Sequence, residues 1–576
     1  LRDREPFSPS DLIMPATPLP PQDPRPTSCA SRRNFLLGLA AVPTVAGLPS
    51  PVPDDPDDMA AAGRLAGIDF SAEERTQAKN HLGSLRQNYQ SLRQPSPPFE
   101  LSPCSAFDPV PPGHTRRPAT GPLPFTIRAD VAMPATDSDL AFATVDEQAS
   151  LLRQGKVTSR RLTELALERL AQFDPQLFCV VNLLREPALQ RAAELDAELA
   201  AGKDRGPLHG IPYGAKDLLG WPGAPTTFGA APFRDHQWAT TATVLQKLHD
   251  AGAVLVAKLS LGALAMGDLW HGGRTRNPYN PAQGSSGSSA GPASAVAAGL
   301  VPFAIGTETL GSIVSPCRQC GIAGLRPTFG TVSRYGAMPL SWTMDKIGPI
   351  ARSAVDAAIV YDCIRGADGK DPAVRDSAFA WQRDRGLEGL RLGVLQLDGW
   401  PKRDEDRAFL TWLEAQGVKL RPVTLPNARF GGMLTMLEAE AATAFDEFVR
   451  NGLAAQLPGQ GEGDWPNLFR AARTIPAVEY LQASRVRSQL LIDMASALGE
   501  IDVFVSPTHG GPTLTCTNLT GHPTYVLPVG QSTADKGRPT SLALVGKLYG
   551  EAELLSVAEA WQNATRWHLA RPELTR

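Results

Sequence analysis

The sequence has few cysteines for its length, no surplus of basic residues, no apolar run long enough to cross a bilayer and no internal repeat. Each absence removes a class of protein. Seven cysteines in 576 residues are too sparse for a disulfide framework, and the odd count leaves at least one thiol unpaired. Cys317 and Cys320 form the single C-x-x-C. No second pair and no His pair follows at ligand spacing, so two semi-buried thiols are expected there and no metal. Lys and Arg number 56 against 59 Asp and Glu, a net charge of -3, which offers no basic excess to a phosphate backbone and argues against a nucleic-acid partner. No segment approaches the roughly 20 apolar residues of a membrane span, so the mature chain is expected to be soluble. Neither a fixed-period repeat nor a heptad pattern is present.

What the chain does have is ordinary globular usage, with 42% hydrophobic and 20% charged residues. Its length corresponds to about four domain-lengths, enough for a large core. The 52 glycines and 52 prolines imply many turns and loops. Residues 1–47 read as a tail with an export signal. Arg32-Arg33 precede Phe35-Leu36-Leu37 and the apolar run from Gly38 to Leu48, a pattern resembling the twin-arginine signal that carries folded proteins across a bacterial membrane. Cleavage is expected near Ala46 or Gly47, Met14 is a candidate start, and the mature protein is expected to be periplasmic or extracellular. The alternative is a loose basic tail followed by a buried helix.

Residues 48–137 read as an extension that wraps the main domain. It comprises an acidic link at Asp54–Asp58, an amphipathic helix through Leu82, Leu85, Tyr89 and Leu92 behind a capping box at Ser71–Glu74, and extended coil from Pro95 to Pro112. The catalytic domain is expected over 138–576. Thr144-x-x-Glu147 caps one helix, and Leu162, Leu165, Ala166 and Leu170 mark the apolar face of the next. Short β-rich runs at Val254–Val256, Leu392–Leu395 and Val503–Val505 alternate with helical stretches, which predicts an α/β domain with a buried sheet.

The densest small-residue run is Gln283-Gly-Ser-Ser-Gly-Ser-Ser-Ala-Gly-Pro292, followed by Gly306-Thr-Glu-Thr-Leu-Gly-Ser312. Small residues let backbone amides approach a ligand, and clustered amides can stabilise an oxyanion. A flexible linker is excluded by the apolar run Ala293–Ile305 behind it. The S-x-x-K scheme is excluded because no lysine has a serine three places before it. The G-x-S-x-G elbow is matched by Gly287–Gly291 with Ser289 as nucleophile, but it needs a strand directly before it, and Asn277–Gln283 reads as loop.

A third scheme follows from resemblance. Gly210–Asp217, the Gly/Ser run, Gly321–Thr328, Val332–Gly336, Asp345–Pro349 and Asn518–Pro523 together resemble the amidase signature family over residues 140–570. The resemblance implies an amidase signature fold, a large mixed sheet with helices on both faces. It also implies a Ser-Ser-Lys triad with Ser312 as nucleophile, Ser288 as bridge and Lys216 as base. The backbone N–H groups of Thr309, Leu310, Gly311 and Ser312 would form the oxyanion hole, and no metal or organic cofactor is required. Such a lysine acts only when neutral, so burial must lower its ordinary pKa near 10.4. The expected activity is hydrolysis of a linear amide in a small-molecule substrate, with esters as a further substrate class; a homodimer is left open. One rival is a glutamine amidotransferase component that works on misacylated tRNA, and another is a silent binding protein on the same fold. The chain departs from the family pattern Asp-x-Gly-Gly-Ser-Ile-Arg at Glu308, Leu310 and Val314. Arg318 is the expected replacement partner for Glu308. Met266, Trp270, His271, Met338 and Trp342 are candidates for an apolar pocket.

Overall fold

Short apolar runs with little alternation are what a sheet covered on both faces requires. In the computed structural model, which describes residues 58–67, 71–73, 75–76, 105–116, 118–532 and 536–574, eleven strands, most of them such runs, pair into one sheet. They are β1 (Val180–Leu183), β2 (Pro212–Lys216), β3 (Val254–Leu259), β4 (Phe303–Glu308), β5 (Ala323–Arg326), β6 (Lys346–Ala351), β7 (Leu392–Leu395), β8 (Arg421–Val423), β9 (Val503–Pro507), β10 (Thr524–Gln531) and β11 (Pro539–Gly546). The order across the sheet is β1-β3-β2-β4-β6-β5-β10-β11-β9-β7-β8. Parallel pairs join β2 to β3 and β4, and β7 to β8 and β9; the remaining pairs are antiparallel. The result is a mixed sheet. All three runs expected as strands lie within it.

Successive strand residues enter different layers, as a pleat requires. Val254, Val256 and Ala304 join an apolar cluster with the helices Ser159–Leu177 and Ala290–Ala297. Leu255, Phe303 and Ile305 join a larger cluster on the opposite side, which includes the helices Ala354–Ile364 and Glu551–Thr565. Helices thus cover both faces of the sheet. The expected capping box is present: Thr144 accepts from the Glu147 N–H while Glu147 accepts from the Thr144 N–H. Leu162, Leu165, Ala166 and Leu170 are buried on the next helix, as their spacing predicts.

The coil from Thr120 to Phe125 lies along these layers. The Leu123 N–H donates to Asp362 (2.8 Å), and Thr120 exchanges two hydrogen bonds with the Phe379 backbone. The Phe125 ring sits 5.7 Å from Trp381. Asp58, read as the end of a link, instead opens the helix Asp58–Ala66, where an acidic first turn suits the helix dipole. The expected export signal and the helix through Leu82–Leu92 lie outside the described residues. Among the described residues, no helix is long and apolar enough to cross a membrane.

Candidate active site

Lys216 ends β2, behind the buried run Ile211–Ala215. Its side chain has no exposed surface. The amine lies 2.8 Å from Ser288 Oγ, 2.8 Å from Thr307 Oγ1 and 3.2 Å from Ser289 Oγ. Burial pulls its pKa down to about 7, with Asp345 and Glu308 pulling the other way. The neighbouring Asp217 is not its partner. Asp217 pairs with Lys258, also fully buried, at 2.8 Å, and accepts from the N–H and hydroxyl of Thr227. That pair fixes the loop that follows β2, and among the described residues Lys216 has no ion-pair partner.

Ser288 and Ser289 stand at the start of the helix Ala290–Ala297, which leads back into β4. Backbone approaches here closely enough to exclude side chains: a Cβ on Gly287 would lie 1.7 Å from the Gly267 carbonyl oxygen. Ser289, the alternative nucleophile, is committed elsewhere. Its Oγ donates to the Thr307 carbonyl (3.0 Å) and accepts from the Thr307 N–H (3.1 Å), tying the helix start to β4. The stretch before it, read as loop, contains two short antiparallel strands, Arg276–Asn277 and Asn280–Gly284. Asn277 Oδ1 accepts the Tyr279 N–H, an Asx turn that closes this hairpin.

Ser312 lies in the loop after β4. Its carbonyl accepts the Ser289 N–H at 3.0 Å, which holds the two serine loops side by side. Lys216 and Ser288 are in direct contact, while the Ser312 hydroxyl makes no hydrogen bond among the described residues. The N–H groups of Leu310, Gly311 and Ser312 likewise find no protein acceptor there, whereas those of Ile313 and Val314 both go to Glu308 Oε2 (2.8 and 2.9 Å). The loop therefore presents unclaimed donors beside Ser312. Thr309, the first residue of the expected hole, directs its hydroxyl to Asp345 (2.5 Å). Leu310 lies outside the left-handed region and packs its side chain on the core. The position that demands glycine is Gly311, at φ +92°.

The structure corrects the expected partner of Glu308. The carboxylate is met by Arg326 at 2.7 Å, not by Arg318, and by Asn518 Nδ2 at 2.8 Å. Burial raises the Glu308 pKa, but the charge and hydrogen bond of Arg326, the Val314 N–H and the Lys346 charge outweigh it and hold the group at about 2. Arg326 carries a charge at the end of an otherwise apolar strand, a signal visible in the sequence.

A narrow cavity adjoins the site through Thr307 and Thr309, with Met338, Leu340, Trp342 and Ile347 among its apolar walls. Of the five residues expected to form a pocket, Met338 and Trp342 line it. Trp270 instead donates to the Phe178 carbonyl, His271 sits against Thr227, and Met266 packs on the core. Cys317 and Cys320 are free and buried, with their thiols against the carbonyls of Ala323 and Ser285. No group of three or more His, Cys, Asp or Glu among the described residues is placed to hold a metal.

Comparison with known proteins agrees with this architecture. The Amidase family model matches residues 161–517. A glutamyl-tRNA(Gln) amidotransferase subunit from Roseiflexus sp. (strain RS-1) is 34% identical over 485 residues, covering 75% of this chain and 98% of that one. Among solved structures, the native peptide amidase from Stenotrophomonas maltophilia is 31% identical with a TM-score of 0.66, over 74% of this chain and 97% of that one. An amidase family protein from Bacillus anthracis str. Ames is 27% identical with a TM-score of 0.68, over 77% and 95%. The chain belongs to the amidase family and has the amidase signature fold.

Proposed function

We propose that the protein hydrolyses a carboxylic amide to an acid and an amine or ammonia through an acyl-enzyme on Ser312. The observation that carries this reading is the Lys216 amine, wholly buried, 2.8 Å from Ser288 Oγ and with a pKa lowered to about 7. A neutral amine there can accept the Ser288 proton while Ser288 takes the proton of Ser312, whose oxygen attacks the amide carbon. The oxygen of the carbonyl becomes an oxyanion facing the unclaimed N–H groups of the 310–312 loop. On collapse the C–N bond breaks and the departing nitrogen takes a proton back from Ser288, which Lys216 resupplies. Water then attacks the ester by the same relay, giving the acid and restoring Ser312. Each step uses protein groups and water alone.

Esters of the same acids fit the same chemistry. A second reading is a glutamine amidotransferase component, favoured by the 34% identity to the Roseiflexus protein. An exported location, supported by the Arg32-Arg33 pattern and the apolar run behind it, argues for the free hydrolase. Cell fractionation with N-terminal mass spectrometry tests that location; a full-length chain confined to the cytoplasm contradicts it.

The function is tested by treating the full chain with a fluorophosphonate and locating the adduct by mass spectrometry. Labelling of Ser312 that is lost in Lys216→Ala is expected, together with release of acid from aliphatic and aryl amides. An adduct on Ser289, or ammonia released from glutamine and from no simple amide, overturns the reading.

A further inference from the structure

We propose that Arg326 is a positioning residue for the reaction, acting through Glu308 to set the backbone donors of the 310–312 loop. The inference rests on Ser312 being the nucleophile. Glu308 divides its carboxylate between two tasks. Oε2 accepts the N–H groups of Ile313 and Val314, immediately after Ser312; Oε1 accepts Arg326 Nη1 and Asn518 Nδ2. Fixing the first pair turns the chain so that the preceding N–H groups stay free. Where the carboxylate sits is decided by the second pair.

Arg326 is itself anchored outside the loop. Its Nη2 donates to Thr517 Oγ1 (2.8 Å), the His522 carbonyl (2.8 Å) and Thr524 Oγ1 (2.6 Å), on the helix Thr513–Thr520, the turn after it and the start of β10. The same helix supplies Asn518 to Glu308 and sets Leu514 where a Cβ on Gly311 would meet it at 3.0 Å. The nucleophile loop is thus clamped to a remote part of the chain by one guanidinium, one amide and one apolar contact. Val314, where an Arg would complete the family-like pattern, is buried in an apolar cluster and carries no charge. The countercharge must come from elsewhere, and it comes across two antiparallel ladders from the end of β5.

Stability alone does not account for this arrangement. A fully buried ion pair is often no better than apolar packing of the same volume.

The test compares Arg326→Lys, Arg326→Met and Asn518→Ala in the full chain, with each enzyme's concentration taken as the Ser312 sites that a fluorophosphonate labels at completion. Two quantities are read: kcat and KM on an amide, and inhibition by a trifluoromethyl ketone, whose adduct places an oxyanion in the hole. Arg326→Lys keeps the charge but loses the fork, so kcat per labelled site is expected to fall about 10- to 100-fold with KM within twofold, and the ketone Ki to rise in proportion. The acid limb of the pH profile, which belongs to Lys216, stays in place. Asn518→Ala is expected to show the same pattern more weakly, which keeps the test open if Arg326→Met fails to fold. Wild-type kcat and ketone affinity in both Arg326→Lys and Asn518→Ala overturn the proposal. So does a change confined to KM or to the fraction of sites labelled. If wild-type Ser312 takes no label, the proposed function falls and this inference with it.

Discussion

Lys216 is held where a charged amine is least welcome, and that conflict has a measurable consequence. Its pKa is about 7 in the folded protein and close to 10.5 when exposed, so between these values unfolding takes up a proton. Wild-type stability therefore falls as pH drops from about 10.5 towards 7 and gains nothing back below. Lys216→Met removes the titration. This variant is expected to lose at least about 10³ in kcat while unfolding at a higher temperature than wild type, with a gap that widens from pH 10 to pH 7. The linkage sets an upper bound of about 5 kcal/mol on the gain, reduced by the lost contacts to Ser288 and Thr307. Calorimetry across that range checks it; a variant less stable than wild type throughout contradicts a strained, neutral lysine. The burial of this residue was legible in the sequence because Ile211–Ala215 is apolar. Its contact with Thr307 was not, since that pairing depends on β2 and β4 lying side by side.

At the scale of elements, the loop Thr309–Ser312 shows where the backbone and where the side chain decides. Gly311, at φ +92° and 3.0 Å from Leu514 when given a Cβ, cannot change without strain, whereas Leu310 contributes apolar contact at an ordinary φ. Gly311→Ala is expected to lose about 1–3 kcal/mol and most of its activity. Leu310→Gly is expected to lose about 1–2 kcal/mol through backbone entropy and lost packing, with kcat within a few-fold of wild type. Denaturant titration with parallel kinetics checks both, and a large loss of kcat in folded Leu310→Gly would show that the side chain itself shapes the hole. The departure at position 310 was visible in the sequence, but not that the demand for glycine falls one residue later. Likewise the missing Arg at Val314 was plain, yet Arg318 was the expected replacement partner. The actual partner lies 18 residues from Glu308 and reaches it through sheet order, which local pattern does not encode.

For the whole molecule, one sheet gathers groups from positions 216, 288, 312, 326 and 518 into a single site. Three of the strands, β3, β7 and β9, were readable as short apolar runs. The order of the sheet was not, because pairing such as β5 beside β10 joins segments about 200 residues apart. The coil from Thr120 to Val131 adds to this body without entering the site. Phe125→Ala, which removes the ring against Trp381, is expected to cost about 1–3 kcal/mol with kcat unchanged. A melting curve and a rate measurement separate the two effects, and a fall in kcat in the folded variant would place the coil in the chemistry.

The relay through a neutral, buried Lys216 is tested most directly by the rate of Ser312 acylation, measured in single turnover on a simple amide from pH 5 to pH 9. The expected rate rises with loss of one proton, is half-maximal near pH 7, and all but disappears in Lys216→Ala across the range. A rate that stays level down to pH 5, or an alanine variant that acylates as fast as wild type, contradicts it.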